Sequence, residues 1–183
     1  MFDIIIMNLN RKILVALALT MTMGATAQNE VKTFEIEGKI GATYPTQKYF
    51  GDKRVGASLG LEGRWNLRQL PVDVGAEIYF GSALRRYQGE DQSNRIFSLS
   101  AVGHYNFMRG SRFSPFVGVG IGTGSCDVVK GIKDNEGGTV VVSPRVGVEL
   151  FHHLRLTVDA RFARKGYNTV GITVGGVIGG CRK

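Results

Sequence analysis

Residues 55–67 read V-G-A-S-L-G-L-E-G-R-W-N-L, and their alternation is the strongest constraint on what this chain can fold into. Val55, Ala57, Leu59, Leu61, Trp65 and Leu67 share one parity with Gly63, while Gly56, Ser58, Gly60, Glu62, Arg64 and Asn66 hold the other. This is the strand period of two, sustained for longer than most soluble strands last. About eleven residues at ~3.3 Å rise and ~45° tilt reach roughly 25 Å, enough for one strand to cross an apolar layer of that height.

The same period recurs along the chain. Phe34, Ile36, Ile40, Ala42 and Tyr44 oppose Glu35, Glu37, Lys39 and Thr43; Val72, Val74, Ala76, Ile78 and Phe80 oppose Asp73, Gly75, Glu77 and Tyr79. Residues 97–107, 117–123, 140–150, 154–162 and 170–178 continue it, giving eight strands. The connections alternate between short turns (68–71, 108–114, 151–153) and longer polar loops (45–54, 83–95, 124–138), with a short fourth loop at 164–168. Glycine makes up 26 of 183 residues, about twice the ~7% of average usage. With no collagen triplet or Gly/Ser linker present, these glycines belong inside structured elements.

Arg11 and Lys12 precede an apolar run at 13–19 and small residues ending Ala25-Thr26-Ala27, the three regions of a secretory signal. Residues 1–27 are therefore expected to be a signal peptide and 28–183 a single domain, with Met7 competing with Met1 as the start. The run is far too short for a membrane anchor helix, which needs about 20 residues. Cleavage removes Asp3, Arg11 and Lys12, so the net charge falls from +8 to +7. No other stretch is an apolar helix candidate, which excludes a helical membrane protein.

Period alone does not say which face is buried, since a soluble lipid-binding barrel alternates as well. The charges decide. Glu35, Glu37, Lys39, Glu62, Arg64, Asp73, Glu77, Arg145, Glu149, Arg155, Asp159 and Arg161 all fall on one face and none on the other. They are of mixed sign and share that face with most strand glycines, which suits a narrow lumen. Aromatics on the apolar face (Phe34, Tyr44, Trp65, Phe80, Phe97, Tyr105, Phe107, Phe162) sit near strand ends, as interfacial girdles do. The expected fold is all-β, an eight-stranded antiparallel up-and-down transmembrane barrel with its polar face inward. A soluble periplasmic lipid-binding barrel is the alternative.

These eight segments, together with runs such as F-V-G-V-G-I-G-T-G (116–124) and V-G-I-T-V-G-G-V-I-G-G (170–180), resemble the outer-membrane β-barrel domain family of small OmpA-like, OmpX-like and PorT-like barrels. The resemblance covers essentially all of 28–183. It implies an outer-membrane location with short periplasmic turns, and its PorT-like branch implies an accessory role in secretion or assembly. The chain departs from the pattern at its end, where G-G-C-R-K stands in place of a terminal aromatic.

Glu37, Lys39, Glu62, Arg64, Asp73, Glu77, Arg145, Glu149, Asp159 and Arg161 are expected to meet as an interior ion-pair network, since unpaired charges in a confined lumen are costly. That network is either a plug or a gate whose pairs exchange. Lys53, Arg54, Arg85, Arg86, Arg164 and Lys165 gather at the outer loops and strand tops, where cations favour lipopolysaccharide phosphates. His104, with Ser98 or Ser100 and an interior glutamate, is the one candidate for lipid A chemistry, though its position near the turn end keeps it from lipid substrate.

His152 and His153 make only a weak two-ligand metal pair. No phosphate loop, zinc motif or nucleophile elbow occurs, so neither cofactor nor catalytic metal is implied. Nucleic-acid binding has no basic helix or aromatic platform behind it. Cys126 and Cys181 fall at opposite rims, about a membrane thickness apart, which forbids a disulfide. The expected protein is a monomeric, non-enzymatic barrel that acts through its outer loops, with membrane lipid, lipopolysaccharide and a surface or periplasmic protein as partners.

Overall fold

The computed structural model describes residues 33–47, 52–87, 89–129 and 136–179. Nine strand segments form one antiparallel sheet: β1 (Phe34–Pro45), β2 (Asp52–Arg54), β3 (Gly56–Asn66), β4 (Val72–Tyr87), β5 (Glu90–Asn106), β6 (Phe113–Val129), β7 (Gly137–Leu150), β8 (Leu154–Arg161) and β9 (Thr169–Ile178). The ladder runs β4-β3-β1-β9-β8-β7-β6-β5, and β4 pairs with β5 to close the cylinder. The described residues contain no helix.

β2 and β3 are two lengths of one stave, so the barrel has eight. Arg54 pairs with Leu84 and Ser58 with Gly81, four steps on one strand against three on the other, so one extra residue is accommodated between them. Arg54 and Val55 both face outward there, the signature of a β-bulge.

Parity sorts the two faces as the alternation requires. Large apolar side chains point outward and stay exposed around the circumference, Ile40 and Ile178 to 72% and 77%. The twelve strand charges point inward, Arg64 and Glu77 with no exposed surface at all. A soluble lipid carrier needs the opposite arrangement, so that alternative falls.

Two expected loops are largely strand. Residues 83–95 form the top of the β4–β5 hairpin, paired through Tyr87↔Glu90 around a turn with Gly89 at φ +85°. Most of 124–138 extends β6 and β7, which places Cys126 in a strand, buried. Cys181 and residues 1–27, including the expected signal peptide, lie outside the described residues.

β4, β5 and β6 therefore rise well past the Phe80↔Phe97 pair, whereas β1, β8 and β9 stop near Tyr44, Phe162 and Val170. At the other end the turns at 67–71, 107–112 and 151–153 are short. Phe151 and His152 both adopt positive φ, 53° and 63°.

Candidate functional site

The polar lumen is the candidate site, and it is layered along the axis. At the turn end a small polar cavity is lined by Glu35, Asn66, Asp73, Asn106, Arg109, Ser114, Glu149 and His152. Asp73 Oδ1 lies 2.6 Å from His104 Nδ1, and Asn106 Nδ2 donates to Asp73 Oδ2 at 2.8 Å. The inward carboxylates outnumber the inward lysine and arginine side chains at this level, so neutral and imidazole donors help to meet them.

Above the cavity the charges interlock. Arg64 reaches Glu35 at 2.8 Å, Glu37 at 2.9 Å, Glu149 at 3.5 Å and Glu62 at 3.6 Å. Lys39 Nζ bridges Glu62 at 2.8 Å and Glu77 at 3.1 Å. Arg145 crosses the lumen from β7 to Glu62 at 2.9 Å, pairs closely with Glu77, and donates to Ser143 Oγ at 2.9 Å. Arg161 contacts Glu77 at 3.1 Å and Asp159 at 3.5 Å. Glu37, Glu62 and Glu77 thus have cations from more than one stave, and the outlying acids Glu35 and Glu149 join the network through Arg64. This is the multiple pairing that makes buried ions tolerable where solvent cannot screen them.

All ten residues expected in the network are inward and joined to it. Sequence reasoning left the flanking groups out of that set. Arg155 contacts Glu37 at 3.4 Å and stacks on Phe116 at 3.7 Å, while Arg161 stacks on Tyr79 at 3.4 Å. Tyr79 and Phe116 are the inward aromatics of β4 and β6, and parity with Glu77 and Ser114 is the signal that identifies them.

Glycine admits the long side chains. A Cβ at Gly175 would land on the Glu37 carboxylate, and one at Gly118 on the His104 ring.

The loop end is shut by an apolar and hydrogen-bonded cap. Tyr79, Ile96, Cys126, Val128, Val141 and Tyr167 form a buried cluster against Ala163. Tyr167 comes from the 162–168 connection, which folds into the mouth. Arg85 Nη2 and Asn94 Nδ2 both donate to Gly166 O at 3.1 Å, Gly166 N donates to Gln47 Oε1 at 3.1 Å, and Thr46 N donates to Asn168 O at 3.0 Å.

Arg85, expected among the exposed cations, is thereby corrected. It has the inward parity of Asp73 and Glu77 and is buried as an anchor for the cap. Of the remaining cations, Arg54, Arg86, Arg164 and Lys165 are exposed, and Lys53 is half-buried. Arg86 pairs with Asp91 at 2.9 Å, Arg164 donates to Glu136 O at 2.7 Å, and Lys53 donates to Thr46 O at 2.7 Å beside the Tyr44 ring.

His104 is held between Asp73 and Glu62, the latter 3.8 Å from Nε2, and has no hydrogen bond to Ser98 or Ser100. Ser98 instead accepts from Arg161 at 3.5 Å. No group of three or more potential metal ligands occurs among the described residues.

The architecture is matched by solved barrels. Neisserial surface protein A superposes with a TM-score of 0.54 at 12% identity over 81% of this chain and 97% of that one. At this identity the likeness speaks to fold alone. Ail of Yersinia pestis, in complex with the heparin analogue sucrose octasulfate, gives 0.47 at 12% identity over 83% and 98%. The N-terminal β-barrel domain of Pseudomonas aeruginosa OprF gives 0.43 at 15% over 81% and 100%. No curated relative matches the sequence. The outer membrane protein beta-barrel domain family matches residues 13–176, nearly the whole chain, and with the closed barrel, apolar exterior and charged lumen it establishes that this outer-membrane protein belongs to that family.

Proposed function

We propose that this barrel is a sealed, non-enzymatic scaffold of the outer membrane that works through its outer surface, by supporting the envelope or by holding a surface partner. The observation that supports this most is the filled lumen. Ion pairs occupy the middle, Tyr167 and its apolar neighbours occupy the outer mouth, and His104 is enclosed between two carboxylates, away from lipid. A plug rather than a gate is the reading that fits, because every exchange of partners would strand a buried charge. The exposed cations Arg54, Arg86, Arg164 and Lys165, with Lys53 beside them, suit lipopolysaccharide phosphates at the outer rim.

Reconstitution tests both halves. In planar bilayers the refolded barrel is expected to give no discrete conductance steps, and sustained steps would remove the sealed scaffold. Retention of purified lipopolysaccharide by the barrel in detergent is expected to fall several-fold when Arg54, Arg86 and Arg164 are changed to Gln together. Lipid A hydrolysis lost on His104→Ala would assign chemistry instead.

A further inference from the structure

The opposite, periplasmic rim carries a second surface that this reading does not use. Its three turns contain Arg68, Arg109 and Arg112 and no Asp or Glu, whereas the outer end mixes both signs. The turns are also joined. Arg109 donates to the Leu67 and Leu70 carbonyls, tying the 107–112 turn to 67–71, and Phe151 N donates to Arg112 O at 2.7 Å, tying it to 151–153. The result is one continuous, pre-organised underside. Arg68 and Arg112 are exposed on it and form no ion pair with the described residues. Beside them Leu70, Met108 and Phe151 are also exposed, at positions that an aqueous rim would fill with polar side chains.

Cations interleaved with exposed apolar side chains at the edge of a hydrocarbon layer match one environment, the headgroup zone of an anionic lipid leaflet. We infer that the periplasmic rim is seated in the inner-leaflet headgroups and gathers anionic phospholipid through Arg68 and Arg112. The apolar side chains enter the acyl boundary while the guanidinium groups meet phosphates above them, and the stitched turns fix the spacing before lipid arrives. Membrane lipid fits this surface better than a soluble anion because the apolar half of the surface would otherwise face water.

The chain carries its own reporter. Trp65 is the only tryptophan, faces outward from β3 beside Phe34 at 4.6 Å, and lies three residues from Arg68, roughly 10 Å along the chain. The barrel is refolded into phosphatidylcholine vesicles that contain the same fraction of brominated phosphatidylglycerol or brominated phosphatidylcholine, and Trp65 quenching is compared. At low salt the anionic lipid is expected to quench at least about twofold more efficiently. The excess is expected to vanish at high salt and in an Arg68→Gln, Arg112→Gln double variant, and to persist in Arg68→Lys, Arg112→Lys. Both variants alter exposed side chains without ion pairs, and heat-modifiable gel migration confirms that they fold. Equal quenching by the two lipids in the native barrel overturns the inference, and so does an excess that survives the Gln variant.

Discussion

Arg64 and Arg145 show how much of this barrel depends on individual lumen residues. Both are buried and both are multiply paired, yet their surroundings differ. Arg64 is the cation that meets Glu35 and also serves Glu37, Glu62 and Glu149, while the two acids bound by Arg145 are still bridged by Lys39. Arg64→Met is therefore expected to destabilise the folded barrel by about 3–5 kcal/mol, the range for a buried charge left without its partner. Arg145→Met should sit at or below the low end of that range. Urea unfolding of vesicle-refolded protein checks the order, and a larger loss at Arg145 would mean that Lys39 does not hold the bridge. Inwardness was legible for these residues because parity groups them on one face and the pooling of mixed charge there marks that face as the lumen. Partnership was not: Arg64 and Glu149 lie 85 positions apart and meet only because β4–β5 pairing closes the sheet.

Among the elements, β7 and β8 make the weakest seam. Their ladder runs from Arg145↔Asp159 to Leu150↔Leu154 and resumes only at Val142↔Phe162, whose two backbone hydrogen bonds measure 3.0 and 2.8 Å. Two residues on from Val142, Pro144 has the parity to bond with Ala160 on β8 but carries no N–H. Pro144→Val is expected to restore that bond and stabilise by about 1 kcal/mol, with slower amide exchange in β8 as the direct measure.

The β7–β8 turn is a second improvable point, because its central residues hold positive φ without being glycine. His152→Gly should relieve about 1 kcal/mol of backbone strain, read as a higher urea midpoint. The strands within the bilayer were legible because a charged lumen on one face and lipid on the other force alternation. The tops of β4, β5 and β6 were not, because above the bilayer the faces trade roles: Ile96, Cys126 and Val128 turn inward to the cap while Arg95 and Asp127 face out, so the pattern of the lower strands does not carry through. Arg85 and Arg86, adjacent and both charged, look like loop for that reason, although one is buried and the other exposed. Tyr167 carried no periodic signal at all; its role follows from a connection that turns inward.

For the whole molecule, an exterior of exposed aliphatics wrapped by a closed ladder should keep its shape in detergent until heated. Unboiled protein is expected to migrate faster on a gel than boiled protein, and a single unshifted band would contradict closure. The Phe34–Trp65 stack and the Tyr105–Phe107 pair at 5.2 Å mark the lower border of the lipid-facing band, and the Phe80↔Phe97 register pair marks the upper one. Past that upper border the staves are unequal. Four climb onward, the β2–β3 stave with β4, β5 and β6, while β1, β8 and β9 end, so among the described residues the rim is a lopsided parapet rather than a level ring. From Phe80 to Tyr87 the tall side adds roughly 23 Å of hydrogen-bonded backbone along the strand. Among the described residues, that flank is the part of the barrel standing farthest beyond the lipid-facing band.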